Sequence, residues 1–236
     1  MAFLRSALFL LFAVPLTLAA GFLLTFMMLL PLAWRFKVVA VWRWLINVLL
    51  RHVQGIRIRV EGLEHLPSTS CVVLCLHQSA WETLALQDFF WPCVFVLKRE
   101  LFWLPGLGWG LKAIDMIGIK RTAKTSALQQ VIEQGQKHLQ RGTSVIIFPE
   151  GTRRAPGQMG VFQPGGALLA ARSGAPAVPV AHNAGKIWPR NAFVKHPGTV
   201  HLRFGPPIDS TGLKAKTINE RAKAWISAQD LGAEGG

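Results

Sequence analysis

The sequence predicts an α/β fold, in which a mostly parallel sheet of about six or seven strands is flanked by helices and preceded by an N-terminal hydrophobic membrane-associating helix or helical hairpin. Three observations lead to this prediction. Short apolar runs alternate with helical patterns along most of the chain, as in parallel sheets. Residues 6–33 contain no charged side chain, and a length of 236 residues suits one domain with an appendage. We therefore divide the sequence into a membrane-associating segment at 1–52, a domain at 53–229 and a disordered tail at 230–236.

The composition favours contact with a membrane surface. Apolar residues make up 51% of the chain, charged residues only 16%, and the formal net charge is +14. Such a chain suits anionic lipids, because each lysine or arginine near their surface contributes about 1 kcal/mol of attraction. Nucleic acid is the other usual partner of a basic chain. The basic residues are spread along the sequence without a concentrated arm, so we expect no nucleic-acid partner.

The cysteines indicate a reducing compartment. Cys71, Cys75 and Cys93 lie in apolar, strand-like runs and lack CxxC spacing, so we interpret them as buried free thiols. The histidines of the C-terminal half lack metal-ligand spacing with acidic or thiol partners. We therefore expect no metal site, and nothing in the sequence suggests a cofactor.

The N-terminal segment leaves two arrangements open. The uncharged stretch 6–33 is long enough to span about 30 Å of bilayer as a helix, yet Pro15, Gly21 and Pro31 interrupt it. A single span and a helical hairpin in one leaflet are both consistent with this pattern, and a cleaved signal peptide is a third alternative. Basic residues after the stretch outnumber Arg5 before it, so the positive-inside rule places the following domain on the cytoplasmic face, at the inner membrane in a bacterium.

The domain itself shows strands and helices in alternation. We predict strands from apolar or alternating runs at 56–61, 71–76, 93–97, 116–119, 145–148, 177–182 and 199–204. We predict helices from capping residues and helical spacing at about 80–89, 123–140, 164–172 and 217–228. Pro179 lies inside the strand at 177–182, so we expect that strand at an edge of the sheet, or the proline at a strand end, where a missing N–H is tolerated.

One turn of this domain combines residue types that suit base catalysis. The strand at 71–76 ends at His77, and Glu82 follows five residues later. If His77 lies in the turn and Glu82 in the first turn of the next helix, the carboxylate can orient the imidazole. It can also stabilise the imidazolium that forms when the ring takes a proton from an alcohol. Ser79 and Glu82 have the spacing of a capping box, so a purely structural role for Glu82 is the alternative.

A second motif strengthens the catalytic interpretation. Residues 148–153 have the sequence FPEGTR. Together with His77 and Glu82, this motif resembles the glycerolipid acyltransferase superfamily, and most closely its 1-acylglycerol-3-phosphate acyltransferases, whose signatures are H-x4-D and FPEGTR in this order. The first signature departs in this chain, because Glu82 stands where the family usually has Asp. The resemblance covers most of the sequence, from about residue 55 to residue 204.

The resemblance implies an enzyme and assigns its residues. It implies transfer of an acyl chain from acyl-CoA or acyl-carrier protein to the sn-2 hydroxyl of 1-acylglycerol 3-phosphate (lysophosphatidic acid), forming phosphatidic acid in phospholipid biosynthesis. His77 is then the general base and Glu82 the carboxylate that orients it. The substrate-binding residues that it implies, chiefly for the phosphate, are Lys98, Arg121, Glu150, Gly151, Thr152 and Arg153.

The sequence leaves two alternative functions open. A member of the same superfamily could use another acceptor, such as glycerol 3-phosphate or a lysophospholipid. A non-enzymatic membrane or nucleic-acid-binding protein would also account for the net charge of +14. That alternative requires both motifs to be accidental. The six matched residues of FPEGTR follow the histidine motif in the family's order, which counts against an accident.

Overall fold

The computed structural model describes residues 1–120 and 122–229. Its helices are α1 (Ala2–Phe26), α2 (Leu32–Leu49), α3 (Trp81–Ala85), α4 (Leu107–Ala113), α5 (Lys124–Gln140), α6 (Gly165–Ser173), α7 (Ala184–Ile187) and α8 (Ala215–Ser227). Its strands are β1 (Ile56–Glu61), β2 (Val72–Cys75), β3 (Cys93–Lys98), β4 (Ile117–Ile119), β5 (Ser144–Ile147), β6 (Ala177–His182) and β7 (Gly198–Phe204). Arg121 and the predicted disordered tail at 230–236 lie outside the described residues.

The described residues form a seven-stranded mixed sheet with the strand order β1-β7-β6-β2-β5-β3-β4. All neighbouring strands run parallel except β6 and β7, which pair antiparallel. The predicted α/β fold with a mostly parallel sheet is therefore confirmed. Strands β2, β5 and β6 lie in the middle of the sheet, and every residue of β2 is fully buried. The end of β2, where the histidine motif begins, thus lies at the centre of the domain.

Pro179 lies in a central strand, which corrects the prediction of an edge strand. Strand β6 pairs with β2 on one side and with β7 on the other. The Pro179 carbonyl accepts a hydrogen bond from Gly205 N–H at 2.9 Å, so the backbone polar groups of this residue face the side of β7. The ladder with β7 begins one residue later, at Val180 and Phe204. The proline is tolerated because its missing N–H falls where the neighbouring strand has already ended.

Helices cover both faces of the central strands. A Cβ atom added to Gly166 of α6 would contact Leu74 and Ile147, so α6 packs on the face to which Leu74 points. The Glu82 carboxylate of α3 lies near Cys75, the next residue of β2. Because neighbouring side chains of a strand point to opposite faces, α3 lies on the other side of the sheet from α6. The turn that carries His77 therefore lies at the carboxyl end of β2, between the two helical layers.

The N-terminal segment is a helical hairpin. Among the described residues, Ala2–Leu29 is the one helical stretch that is long and apolar enough to cross a membrane by length and composition. The helix α2 follows after Pro31, and its Trp42 Nε1–H donates a hydrogen bond to Thr17 Oγ1 of α1 at 3.1 Å. Since Thr17 is as far from the turn as Trp42, the two helices run antiparallel. Residues 2–26 form one continuous helix through Pro15, so the hairpin lies between α1 and α2 and not within the uncharged stretch 6–33.

The hairpin is packed against the domain. In α1, Gly21 lies directly against the backbone of Gly106 before α4, and a Cβ atom at Gly21 would overlap the Gly106 carbonyl group. In α2, the Arg43 guanidinium forms an ion pair with Asp88 at 2.8 Å. Both helices still expose many large apolar side chains, as expected of a segment that contacts lipid. One side of the hairpin is therefore joined to the domain while the other remains apolar and exposed.

Candidate active site

The turn between β2 and α3 brings His77 and Glu82 together. His77 Nδ1–H donates a hydrogen bond to Glu82 Oε1 at 2.8 Å, and Glu82 is completely buried. The helix α3 begins at Trp81, so His77 precedes it and Glu82 lies in its first turn, as predicted. This helix ends at Ala85 and continues as one turn of 3₁₀ helix, so it is shorter than the predicted 80–89. The two side chains have the geometry of a base and its orienting carboxylate.

Glu82 is a helix cap as well as the partner of His77. Its Oε1 also accepts hydrogen bonds from the backbone N–H groups of Gln78 at 3.0 Å and Ser79 at 2.9 Å. Ser79 Oγ accepts a hydrogen bond from Trp81 N–H at 3.2 Å, although the helix itself starts at Trp81 and not at Ala80. The sequence left capping of the helix and orientation of His77 as alternative roles for Glu82, and the structure contains the contacts of both. One carboxylate oxygen fixes both the turn and the ring.

The charge of Glu82 is retained despite its burial. Burial raises the pKa of this carboxyl, but the His77 ring and the Ser79 N–H hydrogen bond hold the pKa below its ordinary value of 4.5. An ionised carboxylate bonded to the ring stabilises the imidazolium that forms when the ring takes a proton. The pair can therefore accept a proton at His77 Nε2, while Nδ1–H stays bonded to Glu82.

The FPEGTR motif supports the histidine turn directly. Its Phe148 ring stacks on the His77 ring with centroids 4.1 Å apart. Glu150 is buried, and its Oε2 accepts a hydrogen bond from His77 N–H at 3.0 Å while its Oε1 accepts one from Gly160 N–H at 2.8 Å. Arg154 N–H donates to the His77 carbonyl at 2.7 Å. Glu150 thus contacts the backbone of the base, a role that its motif position did not indicate.

His182 is a further residue near the turn that the sequence did not single out. It is buried at the end of β6, and its Nε2–H donates to the Leu76 carbonyl at 3.0 Å. Its Nδ1 accepts a hydrogen bond from Ala184 N–H at 3.2 Å, so both ring nitrogens have backbone partners. The ring fixes the residue before His77. No local pattern could have indicated this contact, because residues 76 and 182 meet only through the pairing of β2 with β6.

A cavity of about 1070 Å³ extends from this turn. Its wall includes His77 and most of the predicted substrate-binding residues, which are Lys98, Glu150, Gly151, Thr152 and Arg153. Glu82 lies behind His77, outside the wall. Arg121, the remaining predicted residue, lies outside the described residues. The structure therefore brings the described members of the predicted site together around one cavity.

The N-terminal helices form part of the wall of this cavity. Residues of α1 and α2 line it beside residues from the domain: Thr17, Ala20, Gly21, Leu24, Val39 and Trp42. Most of the remaining wall away from the FPEGTR turn is apolar, with Phe95, Leu111 and Ile114 among its residues. The sequence did not predict that the N-terminal segment contributes to the wall of this cavity. The wall combines a polar end at the two motifs with a long apolar part.

Comparisons with known proteins agree with this arrangement. A family model described as Acyltransferase matches residues 57–183. A Pseudomonas aeruginosa protein named 1-acyl-sn-glycerol-3-phosphate acyltransferase is 47% identical over 182 residues, which cover 76% of this chain and 71% of that protein. A chloroplastic protein of that name from Brassica napus is 32% identical over 71% of this chain, which spans about half (49%) of that relative. The alpha form from Mus musculus is 31% identical, over 72% of this chain and 62% of its own length.

A solved structure shares the fold over nearly the whole chain. The crystal structure of the 1-acyl-sn-glycerophosphate acyltransferase from Thermotoga maritima matches with a TM-score of 0.77 at 23% identity, over 96% of this chain and 95% of that one. The fold and the two motifs thus define a protein of the acyltransferase class. Within that class, the chain belongs to the 1-acyl-sn-glycerol-3-phosphate acyltransferase family.

Proposed function

We propose that this chain transfers an acyl group from acyl-CoA or acyl-carrier protein to the sn-2 hydroxyl of 1-acylglycerol 3-phosphate, forming phosphatidic acid. The observation that carries the proposal is the 2.8 Å hydrogen bond between His77 Nδ1–H and Glu82 Oε1 beside a largely apolar cavity of about 1070 Å³. The names of the related proteins supply the acceptor and the type of reaction. The chemistry of a histidine base beside an ionised carboxylate supplies the mechanism.

His77 acts as the general base in this proposal. Because Nδ1–H is bonded to Glu82, Nε2 carries the lone pair that takes the proton from the acceptor hydroxyl. The hydroxyl oxygen attacks the thioester carbonyl as that proton leaves, and a tetrahedral intermediate forms. When the intermediate collapses, the C–S bond breaks and the thiol leaves with the proton from the His77 imidazolium. Ester and thiol are the products, and the base is restored.

The reaction needs no nucleophile from the protein. Burial, together with the Glu82 and Glu150 carboxylates, holds the pKa of the Cys75 thiol well above its ordinary value, so this thiol stays protonated. The Ser79 hydroxyl is buried and bonded to the Trp81 N–H. In the proposal, therefore, the acceptor hydroxyl attacks the thioester directly, and neither Cys75 nor Ser79 acts as a nucleophile.

Arg153 is the first candidate for the acceptor phosphate. Its Nε is buried without a hydrogen-bond partner among the described residues, and its side chain borders the cavity. Guanidinium groups bind phosphate through two parallel hydrogen bonds. Lys98 and Thr152 border the same cavity and add a charge and a hydroxyl. The turn at Gly151, with a φ of +68°, brings backbone groups close to the same place. By the family resemblance, Arg121 is a further phosphate ligand.

The apolar part of the cavity suits an acyl chain. Burial of each methylene contributes about 0.8 kcal/mol, so an elongated apolar wall favours long acyl groups over short ones. The residues of α1 and α2 in the wall place this part beside the exposed apolar side of the hairpin. In the proposal, residues 1–52 associate with the membrane, residues 53–229 form the acyltransferase domain, and the lipid substrates enter from the bilayer.

The proposed location is the cytoplasmic face of a membrane, which in a bacterium is the inner membrane. Basic residues after the uncharged stretch, such as Arg35 and Arg43, support this side. The three cysteines are buried and free, as predicted, which suits a reducing compartment. Anionic lipids suit the net charge of +14.

The test is an acyl-transfer assay on the purified full-length chain. Acyl-CoA and acyl-carrier protein donors are compared with 1-acylglycerol 3-phosphate, glycerol 3-phosphate and a lysophospholipid as acceptors. We expect turnover of the His77→Ala variant to fall about 10²-fold to 10⁴-fold, because a general base typically accelerates a reaction by this factor. The exposed His196 provides the matched control, and His196→Ala should retain normal turnover.

Two outcomes would contradict the proposal. A His77→Ala variant with a substantial fraction of wild-type turnover would exclude the mechanism. A wild-type preference for glycerol 3-phosphate or a lysophospholipid would exclude the acceptor but not the mechanism. In cells, wild type and not His77→Ala should rescue a strain that lacks 1-acylglycerol-3-phosphate acyltransferase activity.

A further inference from the structure

A second cavity lies at the other end of the hairpin. It has a volume of about 530 Å³ and lies between the start of α1, the turn after α2 and the first residues of β1 and β7. We call it the basic cavity, and its wall consists of Arg5, Arg51, His52, Gly55, Arg57, Pro197, Gly198 and Thr199. It shares no residue with the wall of the 1070 Å³ cavity. The basic cavity is therefore separate from the candidate active site.

The fold holds Arg5 in position at this cavity. Gln54 Nε2–H donates a hydrogen bond to the Arg5 carbonyl at 2.9 Å. The next residue, Ser6, is completely buried and its Oγ accepts a hydrogen bond from Lys195 N–H at 2.9 Å. The Arg5 guanidinium lies over Gly55, where an added Cβ would be 3.2 Å from Nη1. These contacts hold Arg5 in the cavity wall, to which Arg51 and Arg57 also contribute.

The charges around this cavity are all of one sign. In the described part of the chain, no carboxylate contributes to its wall and none pairs with Arg5, Arg51 or Arg57. Like charges that surround one cavity repel each other, and an anion with several oxygens offsets this repulsion. Guanidinium groups match the geometry of phosphate oxygens better than lysine does. The ligand that this chemistry recognises is a phosphate group.

The surroundings of the cavity distinguish a lipid phosphate from a free one. Phe3 and Leu4, on the helical turn that carries Arg5, are exposed. The Phe3 ring lies 5.1 Å from the ring of Phe193, which is also exposed, so an apolar rim adjoins the cations. This rim continues the exposed apolar side of α1. Aromatic side chains next to cations are typical of the headgroup region of a bilayer.

We infer that the basic cavity binds the phosphate of an anionic phospholipid headgroup while the adjoining apolar rim enters the acyl region. This site is distinct from substrate binding, and it rests on the proposed association of the hairpin with a membrane. It fixes the start of α1 at the membrane surface, while the far end of the hairpin lies at the active site.

The experiment measures flotation of the purified full-length chain with two kinds of vesicle. One contains phosphatidylcholine alone and the other phosphatidylcholine mixed with phosphatidylglycerol. The variant Arg51→Gln/Arg57→Gln removes two exposed cations of the cavity. The control Arg221→Gln/Lys223→Gln removes two exposed cations of α8. Each cation near an anionic surface accounts for about fivefold in partition, so we expect the cavity variant to lose about thirtyfold and the control little.

A second arm tests free phosphate as the ligand. The melting temperature of the detergent-solubilised chain is measured with inorganic phosphate and with chloride at equal ionic strength. We expect no stabilisation specific to phosphate. The lipid assignment would be overturned in favour of a free-phosphate site by two results together. Phosphate would raise the melting temperature of the wild type but not of the cavity variant, and the cavity variant would gain as much flotation from phosphatidylglycerol as the wild type does.

The flotation results separate the inference from the proposed function. Equal losses in the cavity variant and the control would show diffuse attraction and overturn the inference, as would a wild type that gains nothing from phosphatidylglycerol. In both cases flotation with phosphatidylcholine alone would still support membrane association by the hairpin. If the wild type floats with neither vesicle, both the inference and the proposed membrane association fail.

Discussion

Replacing Glu82 with glutamine separates the two roles of its carboxylate. Oε1 accepts hydrogen bonds from His77 Nδ1–H and from the backbone N–H groups of Gln78 and Ser79. A glutamine oxygen can accept the same three bonds, because the side chain has nearly the same size. What changes is the loss of the negative charge and the addition of an NH₂ group where Oε2 now has no partner among the described residues. Turnover reports the loss of charge beside His77, and stability reports both changes.

The size of each effect can be worked from these contacts. Two opposite unit charges about 4 Å apart attract by about 4 kcal/mol at an effective dielectric constant of 20. In the proposed mechanism His77 gains its charge as it takes the proton from the acceptor hydroxyl, so most of this loss raises the barrier. At about 1.4 kcal/mol per tenfold, turnover of Glu82→Gln should fall about 10³-fold. The buried NH₂ group without an acceptor should cost about 1–3 kcal/mol of folding free energy, a few degrees in melting temperature.

Aspartate at the same position is the matched comparison. Glu82→Asp keeps the charge but shortens the side chain by about 1.5 Å, so the turn at His77 must relax to keep the hydrogen bond. We expect its turnover to stay within about tenfold of wild type, because a charged partner still stabilises the imidazolium. Turnover is measured as release of the donor thiol, and stability by thermal unfolding. A Gln variant with near-normal turnover would refute the role of the carboxylate in catalysis and leave only the helix cap.

Three further predictions concern the supports of this site. The Glu150 carboxylate accepts hydrogen bonds from two backbone N–H groups, and Glu150→Gln places an NH₂ group against one of them. We expect the free energy of unfolding to fall by about 1–3 kcal/mol and turnover to fall with it, both measured on the same samples. Gly21→Ala should disturb the packing of the hairpin against Gly106, cost about 1–3 kcal/mol and lower turnover, whereas Ala19→Leu on the exposed side of α1 should leave both unchanged. Because the folded pKa of Glu82 lies below its ordinary value of 4.5, its ionised form contributes stability above that pH and loses it as the pH falls through the lower folded value. The melting temperatures of wild type and Glu82→Gln should therefore converge below pH 4.5; a gap that stays constant would contradict the lowered pKa.

The parts of the fold that the sequence predicted depend on local signals. The strand before His77, the turn and the first helical residues near Glu82 are all marked within about a dozen residues of sequence. The alternation of strands and helices likewise predicted the parallel sheet. The end of α3 was missed because the apolar residues after Ala85 continue a helical pattern while the chain turns into 3₁₀ helix. Local patterns define where an element begins better than where it ends.

The parts that were missed depend on pairing between distant residues. The central position of β6 follows from its pairing with β2 and β7, and Pro179 is tolerated there because β7 has ended opposite it; the sequence around Pro179 shows neither. Glu150 was predicted to bind substrate, which stays a prediction, whereas its hydrogen bonds to His77 N–H and Gly160 N–H depend on β5 lying beside β2 and were missed. The contribution of α1 and α2 to the cavity wall likewise requires the docked hairpin. No periodicity in a single segment contains such information.

The shared wall of the large cavity bears on how this enzyme is handled outside its membrane. A detergent that loosens α1 and α2 from the domain would open one side of the 1070 Å³ cavity while leaving the seven-stranded sheet intact. Catalytic failure in such a micelle would then coexist with a normal far-ultraviolet spectrum and a normal elution volume. A shortened, readily soluble version without these two helices would suffer the same defect permanently. The detergent or lipid chosen for this protein therefore determines whether the wall of the cavity is complete.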